Sequence, residues 1–173
     1  MDEALRVVAE MNQRAWTLLK DAVDDLTNDE ADWRPLPQGN NINVIVRHLR
    51  IEAQWHLDSL THGDPMPSEV TPSLQSAIDT VPLDFERNLA KLEELFTAFL
   101  DILRTTTLSD LQRRTADAYG SIADTAGREH FLGYHQALHV ATHCGQIRAI
   151  RNLYWKTRGE PARFFPDNPT YSR

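Results

Sequence analysis

The sequence predicts an all-α fold: a four-helix bundle with a long crossover connection and a proline-rich C-terminal tail. Four long segments repeat apolar residues at three- and four-residue intervals, which is the period of amphipathic helices. The segments between them are rich in Pro, Gly, Asn and Asp, and no stretch has the alternation of a strand. A chain of 173 residues with 41% hydrophobic residues can bury one core, so we predict a single domain over residues 1–173.

The first two helices are separated by a segment that contains helix-breaking residues. Helix one is predicted over residues 2–25, from the apolar stripe Leu5, Val8, Met11, Ala15, Leu18, Leu19 and Val23. The following segment TNDEADWRPLPQGNN is predicted to be a loop, since the prolines at 35 and 37 prevent a helix from continuing. Helix two begins with an asparagine cap at Asn41 or Asn43 and ends at Gly63.

A long connection, a third helix and a fourth helix complete the predicted bundle. Residues 63–82 contain four prolines, with one short turn at SLQSAID, and are long enough to cross from one end of a bundle to the other. Helix three is predicted over residues 83–104, with the stripe Phe85, Leu89, Leu92, Phe96, Phe99, Leu100 and Leu103. A connector over residues 105–121 leads to helix four at 122–156, and the proline-rich tail follows.

Charge and composition exclude several classes of function. The net charge of −7 argues against a nucleic-acid partner, because affinity for phosphates requires concentrated Lys and Arg. The N-terminus is acidic and lacks the pattern of a signal peptide, and the lone Cys144 cannot form an internal disulfide. No apolar run approaches the ~20 residues that a membrane-spanning helix needs. We therefore expect a cytoplasmic protein with no membrane association.

The segment HQALHVATHCGQIR, residues 135–148, places three of the seven histidines at four-residue intervals. His139 and His143 lie about 40° apart on a helix with Cβ atoms about 5–6 Å apart, so both imidazoles can reach one ion. They share their side of the helix with Gln146 and Ile150, which predicts that they point inward. The same helical wheel predicts that Ala137, Ala141 and Arg148 face solvent or a partner.

A catalytic metal site usually has a third protein ligand and one open position. On helix two, His48 shares a face with Glu52, Trp55 and Ser59, so it is the natural third candidate. His135 lies one turn before His139 and is predicted either to line the pocket or to contact a ligand residue rather than the ion. His56, His62 and His130 lack the combination of spacing and direction and are interpreted as ordinary structural histidines. From spacing alone, a structural role for the ligand candidates stays equally open.

Two motifs carry a resemblance to a known family. GNNINVIVRHL opens helix two with a Gly-Asn turn and a histidine, and HVATHCGQIRAIR pairs two histidines with Gly-Gln and Ile-Arg. In these two motifs the chain resembles the DinB-like superfamily of four-helix-bundle proteins, and the resemblance extends over nearly its whole length. The resemblance implies that His48, His139 and His143 bind a divalent metal ion, commonly zinc or nickel, and that the protein is a homodimer. Cys144 points about 140° away from His139, so we interpret it as a buried or interface thiol.

The resemblance also suggests a class of enzyme without selecting one reaction. Our leading hypothesis is a metal-dependent thiol S-transferase, in which a low-molecular-weight thiol attacks a small-molecule electrophile. The alternatives are a metal-dependent hydrolase, with Glu52 or His135 taking the proton, and a non-catalytic metal-binding, stress-associated protein.

Four further side chains and the tail each have more than one interpretation in the sequence. Glu52 is a candidate fourth ligand, an orienting partner or a general base, with a salt bridge to a neighbouring helix equally open. Gln146 is a candidate hydrogen-bond partner for a ligand or a histidine ring. Trp55 and Tyr154 are candidates for the pocket wall, although core packing is the expected role of large aromatic residues. The tail segment ARFFPDNP is a candidate cover for the pocket or a dimer contact.

Overall fold

The structure is a computed structural model that describes residues 3–62, 71–110 and 128–164, with the backbone alone for residues 128–135. Its helices are α1 (Glu3–Val23), α2 (Asn28–Asp32), α3 (Ile42–His62), α4 (Pro72–Asp79), α5 (Phe85–Thr105) and α6 (Arg128–Lys156). No strand occurs in these residues, so the all-α prediction is confirmed. The connector and the first part of predicted helix four, residues 111–127, lie outside the described residues.

The four long helices form a bundle in which α1 and α3 each pack against both α5 and α6. Trp16 stacks on Phe96 at 5.1 Å, and Arg104 at the end of α5 donates to Gln13, so α1 and α5 are antiparallel. The end of α6 lies beside the end of α1, where Arg151 donates to the carbonyl of Ala22, so these two helices are parallel.

The start of α3 also lies at that end of the bundle. Asn43 donates to Asp32, and the neighbouring Trp33 packs edge-on against Tyr154 of α6. Helix α3 is therefore antiparallel to α6 and parallel to α5. Parallel neighbours require a connection that returns along the length of the bundle, which confirms the predicted crossover between α3 and α5.

The predicted apolar stripes form the core. On α1 and α5 every predicted stripe residue is buried except Met11, Leu18 and Leu89, which are half-buried against the core. The cap of α3 is Asn41, whose side-chain oxygen accepts a hydrogen bond from the backbone N–H of Val44 at 2.8 Å. This contact satisfies one of the donors that the first turn of a helix leaves unpaired.

Short helices occur in the segment predicted to be a loop and in the connection predicted to have one short turn at SLQSAID. Thr27 caps α2 by accepting from the backbone N–H of Glu30, and the prolines that suggested a loop begin only at residue 35. Thr71 caps α4 by accepting from the backbone N–H of Leu74, and Pro72 occupies the first turn, where its missing N–H costs nothing. A threonine cap overrides the turn-like composition at both places.

Helix α6 packs on two sides rather than one. Ala137 was predicted to face solvent or a partner, but it is buried within this chain, only 4% exposed, because α1 lies along that side of α6. Ala141 is exposed as predicted, and Arg148 is half-buried. None of the described helices is long and apolar enough to cross a membrane.

A buried ion pair between Arg151 and Glu30 joins the end of α6 to the segment after α1. The fully buried Arg151 donates its Nε to Glu30 Oε1 at 2.7 Å and one Nη to Asp25 Oδ1 at 3.1 Å. The tail returns to this point, since Asn152 and the backbone of Phe164 exchange two hydrogen bonds of 2.7 and 2.8 Å. Up to residue 164 the tail therefore packs beside α6, and it does not line the cleft described below.

Candidate metal centre

Three histidine side chains meet where α3 crosses α6. His48 comes from the second turn of α3, and His139 and His143 come from successive turns of α6. The Nε2 atom of His139 lies 3.0 Å from Nε2 of His48 and 2.9 Å from Nε2 of His143. The structure thus brings together the three residues that the sequence predicted as ligands.

These separations match the needs of a bound ion. Three nitrogens at the usual zinc–nitrogen distance in a tetrahedral site would lie about 3.3 Å apart. The candidate ligand atoms all lie within 4.8 Å of one another, so a small adjustment of the rings is sufficient. Imidazole is a good ligand for both zinc and nickel, so the donor set fits either ion.

The other nitrogen of two of these rings lies close to a side-chain oxygen. Nδ1 of His139 lies 3.3 Å from Glu52 Oε2, and Nδ1 of His143 lies 2.8 Å from Gln146 Oε1. The acceptor at Nδ1 of His143 keeps the proton on that nitrogen and leaves the Nε2 lone pair for a metal ion, whereas Glu52 lies within ion-pair distance of His139. The role of Gln146 is therefore a hydrogen bond to a histidine ring, one of the two predicted options.

Glu52 reaches across from α3 to α6. Besides its contact with His139, it lies 3.8 Å from Nε2 of His48, and burial raises the pKa of its carboxyl group. Its shorter contact is to Nδ1, the nitrogen that faces away from the shared ligand position, which is the geometry of an orienting partner. A catalytic role for Glu52 stays a prediction.

The imidazoles of His48 and His143 are kept in the neutral form, which is the form that binds a metal ion. Burial lowers the pKa of His48 to about 4, with repulsion from His143 adding to the effect. Burial also lowers the pKa of His143, although its hydrogen bond to Gln146 opposes the change. Both imidazoles are consequently neutral near pH 7, as metal ligation requires.

The remaining histidines and the cysteine lie elsewhere. Cys144 is only 2% exposed, and burial raises the pKa of its thiol to about 11, so it is the inert buried thiol that was predicted. His56 is buried within α3, and His62 is exposed at the end of that helix. His130 and the predicted pocket residue His135 lie on α6, but their side chains are outside the described residues.

A cleft of about 330 Å³ opens beside His48 and His143. His48, His143 and Glu52 form one part of its wall. Its other lining residues belong to the segment before α3, to α3 and to α4: Asn40, Val44, Ile45, Arg47, Ile51, Trp55, Gln75 and Ile78. Its volume falls in the range of small-molecule sites.

The cleft corrects one expectation about aromatic residues and confirms another. Trp55 lines the cleft, whereas core packing was its expected role. Tyr154 is buried between Trp33 and Trp155 and is a core residue as expected. The sequence did not predict that Arg47 and the α4 residues Gln75 and Ile78 line the cleft. The Thr-Pro pair at 71–72 was the available signal for a helix at α4.

The fold and the site together define a class: helical bundles that hold three histidines, from two helices, around a position for a divalent ion. Comparison with protein families matches the chain to the DinB superfamily over residues 11–147, a region that includes all three histidines. The protein belongs to the DinB superfamily. Searches of curated proteins and of solved structures gave no significant match.

Proposed function

We propose that this protein is a metal-dependent enzyme of the thiol S-transferase type, with zinc or nickel at His48, His139 and His143. The observation that supports the proposal is that two of the three clustered histidines, His48 and His143, lie on the wall of a cleft large enough for a small molecule. The side chain of His48 is 45% exposed, so the ligand position is accessible from the cleft. An accessible position is the mark of a catalytic rather than a structural site.

Bound there, a divalent ion would acidify a thiol or a water molecule in the cleft. The thiol loses its proton to Glu52, whose raised pKa suits a proton acceptor. The sulfur then forms a bond to a carbon of the electrophile, and the leaving group departs with the electrons of its own bond. The apolar residues Ile51, Trp55 and Ile78 hold the body of the substrate and exclude water.

Two other functions use the same residues. A hydrolase would activate water in place of the thiol, with Glu52 or His135 accepting its proton. A non-catalytic, stress-associated metal protein would have its fourth position closed by a protein side chain. The burial of Cys144 and the contact of Glu52 with Nδ1 of His139 argue against that closure and favour an enzyme. The homodimer implied by the resemblance stays a prediction.

Metal content is the first test of this proposal. Untagged protein, purified without chelators and supplied with zinc or nickel, should contain about one ion per chain. His48→Ala and His143→Ala should each lose it, while the exposed His62→Ala serves as the matched control. Failure of the wild-type protein to retain either ion would exclude all three functions.

Activity measurements then distinguish the three proposed functions. The loaded protein is incubated with 2-mercaptoethanol and an activated aryl chloride, and separately with an activated ester and no thiol. Thioether formation that is lost in His48→Ala supports the transferase, and thiol-independent ester cleavage identifies the hydrolase. A bound ion with neither reaction identifies the non-catalytic alternative.

A further inference from the structure

Arg47 is the residue before His48 on α3, and its side chain lines the same cleft. It is half-buried, and among the described residues it makes one hydrogen bond, of 3.3 Å, from Nη1 to the carbonyl of Val81. A guanidinium group has five N–H donors. Within the part of the chain that the structure describes, Arg47 belongs to none of the ion pairs.

Three other arginines among the described residues are buried to a similar or greater degree, and one of them, Arg148, lies over the ring of Phe164 at 5.4 Å. Arg50, one turn further along α3, donates to the side-chain oxygen of Asn88 at 2.7 Å and lines only the adjacent cleft. Arg151 donates hydrogen bonds to two carboxylates and to two backbone carbonyls. Arg47 also joins its helix to another segment, through the carbonyl of Val81, but among the described residues this one bond leaves most of its five N–H donors for a ligand in the cleft.

The surroundings of Arg47 are mainly apolar. Val44 and Ile51 flank it on α3, and Ile78 of α4 and Trp55 complete the wall. A half-buried cation among apolar groups is stabilised by an anion, and a guanidinium and a carboxylate can form two parallel hydrogen bonds. The one carboxylate in the lining, Glu52, is engaged with the histidines.

We infer that Arg47 makes the cleft selective for a small molecule that carries a carboxylate beside an apolar or aromatic body. The carboxylate pairs with the guanidinium, and the apolar body lies against Trp55 and Ile78. This inference rests on the proposed function only in taking the cleft as the substrate site. It adds the chemical class of the substrate.

The test compares two probes of the same shape, 3-phenylpropanoate and its neutral amide 3-phenylpropanamide. Their affinities are measured by ligand-observed NMR titration, with the protein as purified and again after zinc loading. We expect wild-type protein to prefer the acid by about tenfold or more, the usual effect of a charge-assisted hydrogen bond. Arg47→Gln should abolish the preference and leave the affinity for the amide unchanged within about twofold.

Arg50→Gln is the matched control, because it removes the same charge from the same helix beside the neighbouring cleft, and it should keep the preference. Arg47→Lys retains the positive charge and should keep part of it, and circular dichroism checks the fold of each variant. If Arg47→Gln does not fold, the test compares the ratio of acid to amide affinity in the wild-type and Arg47→Lys proteins, and a smaller ratio in Arg47→Lys supports the inference. Equal affinities for acid and amide, or a preference that survives Arg47→Gln, would overturn the inference.

Failure of this inference is distinguishable from failure of the proposed function. A chain that binds one ion but shows no preference for the acid keeps the metal site and loses the role of Arg47. A chain that binds no metal but prefers the acid through Arg47 keeps the carboxylate site and loses the proposed enzyme.

Discussion

Glu52 on α3 lies 3.3 Å from Nδ1 of His139 on α6, so one carboxylate connects the two helices that supply the candidate metal ligands. A carboxylate in this position makes the imidazole a stronger ligand and restricts the rotation of its ring. The metal site therefore depends on a residue that need not contact the ion.

We predict that Glu52→Gln weakens zinc binding by about 10- to 100-fold without loss of the fold, since the amide keeps an acceptor but removes the charge. The affinity is measured by competition with a chromophoric chelator. Glu86→Gln, an exposed site on α5, is the control and should bind zinc like the wild-type protein. Unchanged affinity in Glu52→Gln would mean that the carboxylate does not support His139.

The lowered pKa of His48 predicts a pH dependence of stability in the metal-free protein. An unfolded histidine titrates near 6.5, whereas folded His48 titrates at about 4. Between these values the unfolded chain binds more protons, so the stability is fully present above pH 6.5 and is lost as the pH falls towards 4. The partial exposure of the ring reduces the size of this effect through solvent screening.

The melting temperature of chelator-treated protein should therefore fall between pH 6.5 and pH 4. His48→Gln should show a shallower fall, and the exposed His62→Gln should follow the wild-type curve. Identical slopes for the wild type and His48→Gln would contradict the assignment.

The buried pair of Arg151 and Glu30 predicts a large effect on stability far from the metal site. Arg151→Ala should lower the free energy of unfolding by about 3–5 kcal/mol, because it leaves the buried Glu30 carboxylate without its partner. Denaturant titration measures this difference. Arg6→Ala, which removes an exposed pair with Glu10, should cost less than about 1 kcal/mol. Similar losses in the two variants would argue against a special role for burial.

The buried position of Cys144 predicts an unreactive thiol that has no part in metal binding. With a pKa raised to about 11, the thiol remains protonated at neutral pH, so a thiol reagent should modify it slowly in the folded protein and quickly in denaturant. Cys144→Ala should retain the metal content of the wild-type protein. Loss of metal in this variant would place the sulfur among the ligands.

Much of the fold follows from local chemistry that the sequence displays. The apolar period located α1 and α5 to within two residues at each end, and the Asn41 cap marked the start of α3. The four-residue spacing of His139 and His143 determined that both lie on one side of a helix, since the geometry of a helix depends only on its own residues. The face shared by His48 and Glu52 is determined in the same way.

Only the tertiary structure decided which face meets which neighbour. The burial of Ala137, the contact of Glu52 with Nδ1 of His139, and the position of α4 against Trp55 and Arg47 all depend on helices that are distant in sequence. A helical wheel gives directions about one axis, but it contains nothing about the crossing of two axes or the path of the chain between them. The sequence by itself therefore determined the long helices and the candidate ligands, and the packing of the bundle decided the cleft and the partner of each side chain.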